Sequence, residues 1–427
     1  MTAEVGVLNK MGVALAADSA VSIGPDADKI YSSVDKLFNL SDSAPVGIMI
    51  NGNAEFLGTP WETIIKTYRS DRKGKRFGTL AEYRDDFLRF VSSNRKMFPA
   101  ALQSDYVENL VYSFLIFVRG NIKSRFDRLA EQQDGLDDKD LPPIINDVVK
   151  EEFEAVKGKD RLRGFGDKTI SDIRKFYSRR ISAVVKEVFG ELPMTAATKR
   201  LVSRLIIEVL SRDHMGPFMT GVVFAGFGED EFMPRLYSVN VEIMVRNRIR
   251  AVHYHDVEIS HQTTASIVPF AQQEMVHAFL NGIDPEIDLR IRMTTQKMFH
   301  GIVDLILAEV ERNDAKFGAK LKKQVLPSIN KALSAVIQDW DNQSRDYWRP
   351  IISIASSLPK DELGSMAEAL VNLTKFRRRI SEDRETVGGP IDVAVITKGD
   401  GFVWVKRKHY FAPELNPRTI ARYGSRR

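Results

Sequence analysis

The chain contains no cysteine among its 427 residues. That excludes a disulfide framework, a zinc–thiolate site, an iron–sulfur cluster and a cysteine nucleophile, and it fits a reducing compartment. Long apolar runs are also missing. No stretch of about 18 apolar residues occurs, so no membrane span is expected. Charge of one sign is scarce: 62 Lys and Arg against 57 Asp and Glu leave +5, too mild to demand nucleic acid. No repeat or low-complexity tract interrupts the chain. A secretory leader is not expected either. Ala14-Leu15-Ala16 has the look of a cleavage site, but no basic region precedes it, Glu4 stands where a basic residue belongs, and Lys10 splits the apolar run. A cytoplasmic protein with an intact N-terminus is expected.

What is present is a globular composition, 43% hydrophobic and 28% charged. The first 52 residues have strand character. Val5, Val7 and Leu8 lead into a turn at Asn9-Lys10-Met11-Gly12, and Val13 to Ala17 continue as a short apolar segment, so a hairpin is predicted. Val34 to Leu40 and Val46 to Ile50 form a second strand pair. Asn53 is placed to cap a helix over 54–68. Thr79 and Glu82 form a capping box, with Tyr83, Phe87, Phe90 and Val91 on one helical face. Residues 104–130 read as a further helix, 131–143 as a linker, and 144–212 as helical and basic. Strands return at Gly221 to Phe227, Arg235 to Val239 and Val252 to Ile259, followed by a predicted helix over Pro269 to Leu280. Residues 289–350 and Asp361 to Arg379 are helical, and Ile391 to Thr397 and Phe402 to Lys406 form a last hairpin around Lys398-Gly399-Asp400-Gly401. A sheet protein with helices packed on it and helical insertions is the economical account: α+β.

Thr2 offers chemistry. If Met1 is removed, a free N-terminal threonine carries a hydroxyl nucleophile and an amine base on one residue, a pairing that activates a weak nucleophile. Alone, a Met-Thr start signals nothing. Asp18 ends an apolar strand, where an acid must find a partner or solvent. Lys36 opens another apolar strand, Lys36-Leu37-Phe38. A lysine beside the hydroxyl, paired with an aspartate, would lower the nucleophile's effective pKa. The competing account is two strand-end charges in water.

At this point the sequence resembles the proteasome β-type family of N-terminal nucleophile (Ntn) hydrolases, including the peptidase subunit of the simpler bacterial ATP-dependent protease. Thr2 matches the family's N-terminal threonine, and Asp18 follows at the family's spacing in an Ala-Ala-Asp-Ser context. Lys36-Leu37-Phe38-Asn39-Leu40 is similar to the strand that opens with the family's lysine, two residues later than usual. Gly52-Asn53-Ala54-Glu55 resembles the opening of the family's first helix. Val223 to Phe227 and Pro234 to Val239 resemble the second sheet, and Gly388-Gly389 with Ile391 to Ile396 the late strand.

The resemblance implies a four-layer αββα Ntn-hydrolase sandwich. Its core segments would be 1–70, 218–285 and 359–410, with helical insertions at 71–217 and 286–358 and a basic tail at 411–427. It implies a threonine-type endopeptidase with Thr2 as nucleophile and Asp18 and Lys36 in support. It implies a polypeptide substrate, no metal or cofactor, assembly into rings or related homo-oligomers, and a separate ATPase in some members. Asn51 or Gly52 would supply the oxyanion N–H. Val21, Val34, Phe38 and Met49 would line an apolar substrate pocket, favouring a medium-sized apolar residue on the acyl side. The insertion helices of 144–212 would cap the active-site face or make subunit contacts.

Two departures stand out. The family's Gly-Ser-Gly before its third helix is Val268-Pro269-Phe270-Ala271 here. Its Asp-x-x-Ser-Gly-Gly is replaced by Asp383-Arg384-Glu385-Thr386-Val387 before Gly388-Gly389. Asp383, Glu385 or Thr386 would then hold the Thr2 amine. These losses keep two alternatives open, an amidohydrolase on a non-peptide amide and a catalytically silent relative.

Weaker signals are present as well. His253 and His255 share a strand face without an evident third ligand, so ordinary strand residues are expected rather than a metal pair. Arg377-Arg378-Arg379 and the tail from Trp404, with 7 Lys and Arg against one acid, are expected as solvated surface or as contacts to an acidic partner. Gly164-Phe165-Gly166 lacks the strand–turn–helix context of a phosphate loop.

Overall fold

The computed structural model describes residues 2–23, 29–132, 137–381, 387–409 and 411–418. The N-terminal part is made of strands β1 (Ala3–Asn9), β2 (Gly12–Ala17), β3 (Val21–Ile23), β4 (Lys29–Tyr31), β5 (Leu37–Asn39), β6 (Val46–Gly52), β7 (Glu55–Phe56) and β8 (Thr59–Pro60). Helices α1 (Trp61–Asp71), α2 (Leu80–Ser93), α3 (Ala100–Gln132), α4 (Leu141–Lys157), α5 (Asp167–Phe189) and α6 (Ala196–Ser211) follow. Strands return as β9 (Thr220–Gly226), β10 (Arg235–Val245), β11 (Arg248–Glu258) and β12 (Ala265–Ala271). The chain continues through α7 (Glu274–Asn281), α8 (Pro285–Asn313), α9 (Ala315–Ser357) and α10 (Lys360–Ile380) to β13 (Asp392–Thr397) and β14 (Gly401–Lys406). The architecture is α+β with antiparallel sheets, divided into two compact units. No described helix is long and apolar enough to cross a membrane.

The first unit comprises residues 1–34, 258–397 and 403–417. Its sheet runs β12-β1-β2-β13-β14. The β1–β2 hairpin pairs Asn9 with Gly12 across Lys10-Met11, and Asn9 Oδ1 accepts from the Met11 N–H at 2.8 Å. The Asn9 amide also donates to the carbonyls of Ala355 and Leu358 at the end of α9, both at 2.9 Å, which explains a fully buried asparagine. Alternation puts Val5, Val7, Ala14 and Ala16 on one face, where they pack with Leu363, Ala367, Leu370 and Val371 of α10. Thr2 and Glu4 belong by the same alternation to the other face.

The second unit comprises residues 35–257, 398–402 and 418–427. Its sheet runs β11-β10-β9-β6-β5. Helices α1 and α2 cover it through Trp61, Ile64, Tyr68 and Phe87, packed with Ile48, Val222 and Phe224. The capping box at Thr79 and Glu82 is formed. Helices α3 to α6 build a separate core around Leu110, Phe114, Ile145, Phe153, Tyr177 and Leu205, joined to the sheet at Ile243 and Val245. Beneath α6 lies a buried ion pair. Arg250 of β11 meets Glu242 of β10 with both side chains wholly shielded, and Arg250 also donates to the carbonyls of Val209 (2.7 Å), Arg212 (3.3 Å) and His214 (2.7 Å). Burial pushes the Arg250 pKa down to about 9, still charged at neutral pH. Burial, with Lys159 and Arg250 nearby, pushes His214 down to about 4, so its ring is neutral there.

Three expectations are corrected. The helix predicted over 54–68 starts only at Trp61. Asn53 forms a local turn instead, its Oδ1 accepting from the Glu55 N–H at 3.1 Å, and Glu55 to Pro60 fold as the small β7–β8 hairpin. Pro142 and Pro143, assigned to the linker, open α4, where missing N–H groups cost nothing. Pro269, assigned to a helix start, lies in β12 opposite Val5. β12 is an edge strand, where proline removes no needed ladder bond.

Candidate active site

Thr2 stands at the head of β1 and is buried. Its carbonyl accepts from the N–H of Gln272, which continues the pairing of Ala3 with Ala271 on β12. On the other side, the Asp18 N–H donates to the carbonyl of Ala3 at 3.1 Å, extending the β1–β2 ladder by one residue. The Asp18 carboxylate turns back on the same backbone. Oδ1 accepts from the Ala3 N–H at 3.1 Å, and Oδ2 accepts from Gly388 at 3.0 Å and Ala20 at 3.3 Å. A buried carboxylate is tolerated because donors surround it. Thr2 and Asp18 are therefore brought together within the first unit.

The segment after residue 386 completes this corner. The Ser19 N–H donates to the Gly388 carbonyl at 3.2 Å and its hydroxyl to the Pro390 carbonyl at 2.6 Å. Gly389 has φ +74°, and a Cβ there would sit 2.5 Å from the Ser32 carbonyl oxygen. Gly388 has open space at its Cβ position. Gly389→Ala is therefore expected to cost about 1–3 kcal/mol and to loosen the Gly388 bond to Asp18. Gly388→Ala should stay within about 1 kcal/mol of wild type. Urea unfolding of both variants checks this, and equal losses would show that the turn is not strain-limited.

Sequence reasoning missed Gln272 and the role of Arg378. Gln272 is buried, and its side-chain oxygen accepts from Arg378 Nε at 2.8 Å. Part of the basic run Arg377-Arg378-Arg379 thus leans onto the residue that holds Thr2. Ala271, just before Gln272, has φ +61°. A left-handed alanine costs roughly 1–2 kcal/mol. No glycine in Val268 to Ala271 announces that conformation.

Lys36 lies in the second unit, buried, immediately before β5; its carbonyl accepts from the Ile50 N–H at 2.8 Å. Asn51 and Gly52 close β6, paired with Gly221 and Thr220. Gly52 has φ +82°, and a Cβ there would sit 2.8 Å from the Met219 carbonyl. Asn51 lies over Gly221, where any side chain would collide with it. Of the pocket residues, Val21 pairs with Tyr31 in the β3–β4 ribbon, and the Val34 N–H donates to the Ser19 carbonyl at 3.2 Å. Phe38 is opposite Ile48, and Met49 is opposite Leu37. Consecutive positions face opposite ways, and Phe38 packs with Ile48 and Leu40 in the core under α1 and α2. Phe38 and Met49 therefore do not share a face. Asp383, Glu385 and Thr386 lie outside the described residues. Val387 is fully buried in the core of the first unit. His255 is paired with Ser238, Nδ1 to Oγ at 2.9 Å.

No sequence-family profile matches the chain, and no curated protein matches it in sequence. Among solved structures it is similar to a mutant Anbu protein from Hyphomicrobium sp. strain MC1, at 12% identity and a TM-score of 0.30, over 100% of this chain and 94% of that one. A similarity that weak fixes neither fold nor function.

Proposed function

We propose that the chain is a proteasome-like threonine peptidase of the Ntn type, with the four-layer αββα fold class. In this reading 1–70, 218–285 and 359–410 supply the core, and 71–217 and 286–358 are helical insertions. One observation carries the catalytic reading: a buried aspartate locked by three backbone N–H groups directly against the backbone that follows Thr2. A carboxylate held that firmly is a fixed charge, suited to orienting a cation beside the nucleophile. The left-handed Ala271 next to Thr2's strand partner adds local strain of the kind found at functional sites.

The mechanism requires a chain that begins at Thr2. The Thr2 hydroxyl attacks an amide carbonyl, its proton passes to the Thr2 amine, and the departing amine takes that proton. The acyl-ester on Oγ is then hydrolysed by water. Lys36 favours the alkoxide and Asp18 holds Lys36. Asn51 or Gly52 donates to the oxyanion. Val21, Val34 and Met49 line the pocket. Self-association and a separate ATPase that supplies unfolded substrate complete the picture.

The buried Val387, at the position of a family serine, favours a second reading, a silent relative. Turnover by the wild-type chain decides between them, and Lys36 tests the mechanism. Lys36→Ala and Lys36→Arg are expected to lower kcat far more than they raise KM, because a planar guanidinium does not replace a compact ammonium. Wild-type turnover of a peptide substrate by Lys36→Arg would make Lys36 structural only. No turnover by the wild-type chain beginning at Thr2, on peptides or small amides, would establish the silent reading.

A further inference from the structure

Helix α10 is anchored on the strands that carry Thr2 and Asp18. Leu363, Ala367, Leu370 and Val371 pack with Val5, Val7, Ala14 and Ala16 of β1 and β2. Near its C-terminus, Lys375 and Arg378 stand three residues apart and so are neighbours on the helix surface. Cations there ordinarily serve the last carbonyls of their own helix. These two reach further. Arg378 Nε donates to the Gln272 side-chain oxygen at 2.8 Å, and the Gln272 N–H donates to the Thr2 carbonyl at 3.1 Å. Lys375 Nζ donates to the Gly389 carbonyl at 2.9 Å, and the neighbouring Gly388 N–H donates to Asp18 Oδ2 at 3.0 Å. Two short chains of contacts thus start on one helix. One ends on the Thr2 backbone and the other on the Asp18 carboxylate.

Both segments held in this way need support. Gln272 lies just past the end of β12, after the left-handed Ala271, and Gly389 sits in a left-handed turn at φ +74°. Strand ends and turns are the parts of a fold that open first. We infer that Lys375 and Arg378 are positioning residues of the Thr2 site, which hold the Thr2 backbone and the Asp18 carboxylate at a fixed spacing. The inference rests on the reading of Thr2 as nucleophile. Attack by an N-terminal hydroxyl needs that spacing, because a misplacement of about 1 Å can cost on the order of 100-fold in rate.

The test uses the full chain beginning at Thr2. Arg378→Met and Lys375→Met each keep an unbranched side chain and lose the donor. Each is expected to lower kcat on a peptide substrate about 10- to 100-fold, with KM changed by less than about threefold. Arg378→Lys and Lys375→Arg should regain most of the loss, because each contact is made to a single oxygen that any cationic donor of similar length can serve. Arg377→Gln should match wild type, since Arg377 is exposed and meets Asp284 at 3.5 Å instead. Hydrogen exchange at single amides gives an answer that needs no turnover. Exchange should quicken at Gln272 in Arg378→Met and at Gly388 in Lys375→Met, and stay unchanged in the middle of β1. No change at either amide, or faster exchange with wild-type kcat in an active chain, would overturn the positioning role. If the wild-type chain turns over nothing, the Thr2 reading fails by itself, and exchange alone decides whether α10 holds this corner.

Discussion

Thr2→Ala is expected to reduce peptide turnover to background, a fall on the order of 10⁴-fold or more, with no loss of secondary structure. The backbone bonds that seat residue 2, from Gln272 to its carbonyl and from Ala3 to Asp18, do not involve the Thr2 side chain. Alanine therefore keeps the strand and removes only the hydroxyl. Thr2→Ser should retain part of the activity, because hydroxyl and amine still share one residue. Unfolding curves and kinetics on the same preparations separate the two effects. Full turnover by Thr2→Ala would remove Thr2 from the mechanism, whatever the fate of the remaining site.

Arg250→Met should have the largest effect on stability, a loss of about 3–5 kcal/mol. Glu242 would be left wholly shielded without its countercharge, with Gly216 N–H as its remaining donor among the bonds described. The carbonyls of Val209, Arg212 and His214 would lose the guanidinium that gathers them at the end of α6. The double variant Arg250→Met with Glu242→Met should recover most of the loss, because no buried charge is left unpaired. Urea denaturation followed by circular dichroism measures both. A double variant as unstable as the single one would place the cost in the three carbonyls rather than in the carboxylate.

The sequence made elements legible where a local rule decides them. Strict apolar runs separated by Asn9 to Gly12 allow only a hairpin, and Thr79 with Glu82 marks a helix start by a bond between neighbours in sequence. It misled where tertiary pairing overrides local preference. Pro269 reads as a helix start, yet β1 offers the Ala265–Ala271 segment a ladder partner. Gln272 has no signal at all, because its importance comes from β12 ending beside Thr2. Arg250 and Glu242, eight residues apart on facing strands, look like any exposed pair until α6 covers them. In the candidate site, Asp18 lies against the backbone next to Thr2 because the β1–β2 hairpin fixes how far apart its two strand ends lie. The family resemblance groups Phe38 and Met49 in one pocket, but their register on β5 and β6 puts them on opposite faces of the sheet.

The central claim is that the chain acts through a free N-terminal Thr2. The most direct measurement is peptide mass mapping of the active protein after treatment with a threonine-directed electrophile. The expected result is a single adduct on an N-terminal peptide that begins with Thr2, with activity lost in proportion to labelling. An active chain that still carries Met1, or inactivation with the adduct on any other residue, would contradict the account.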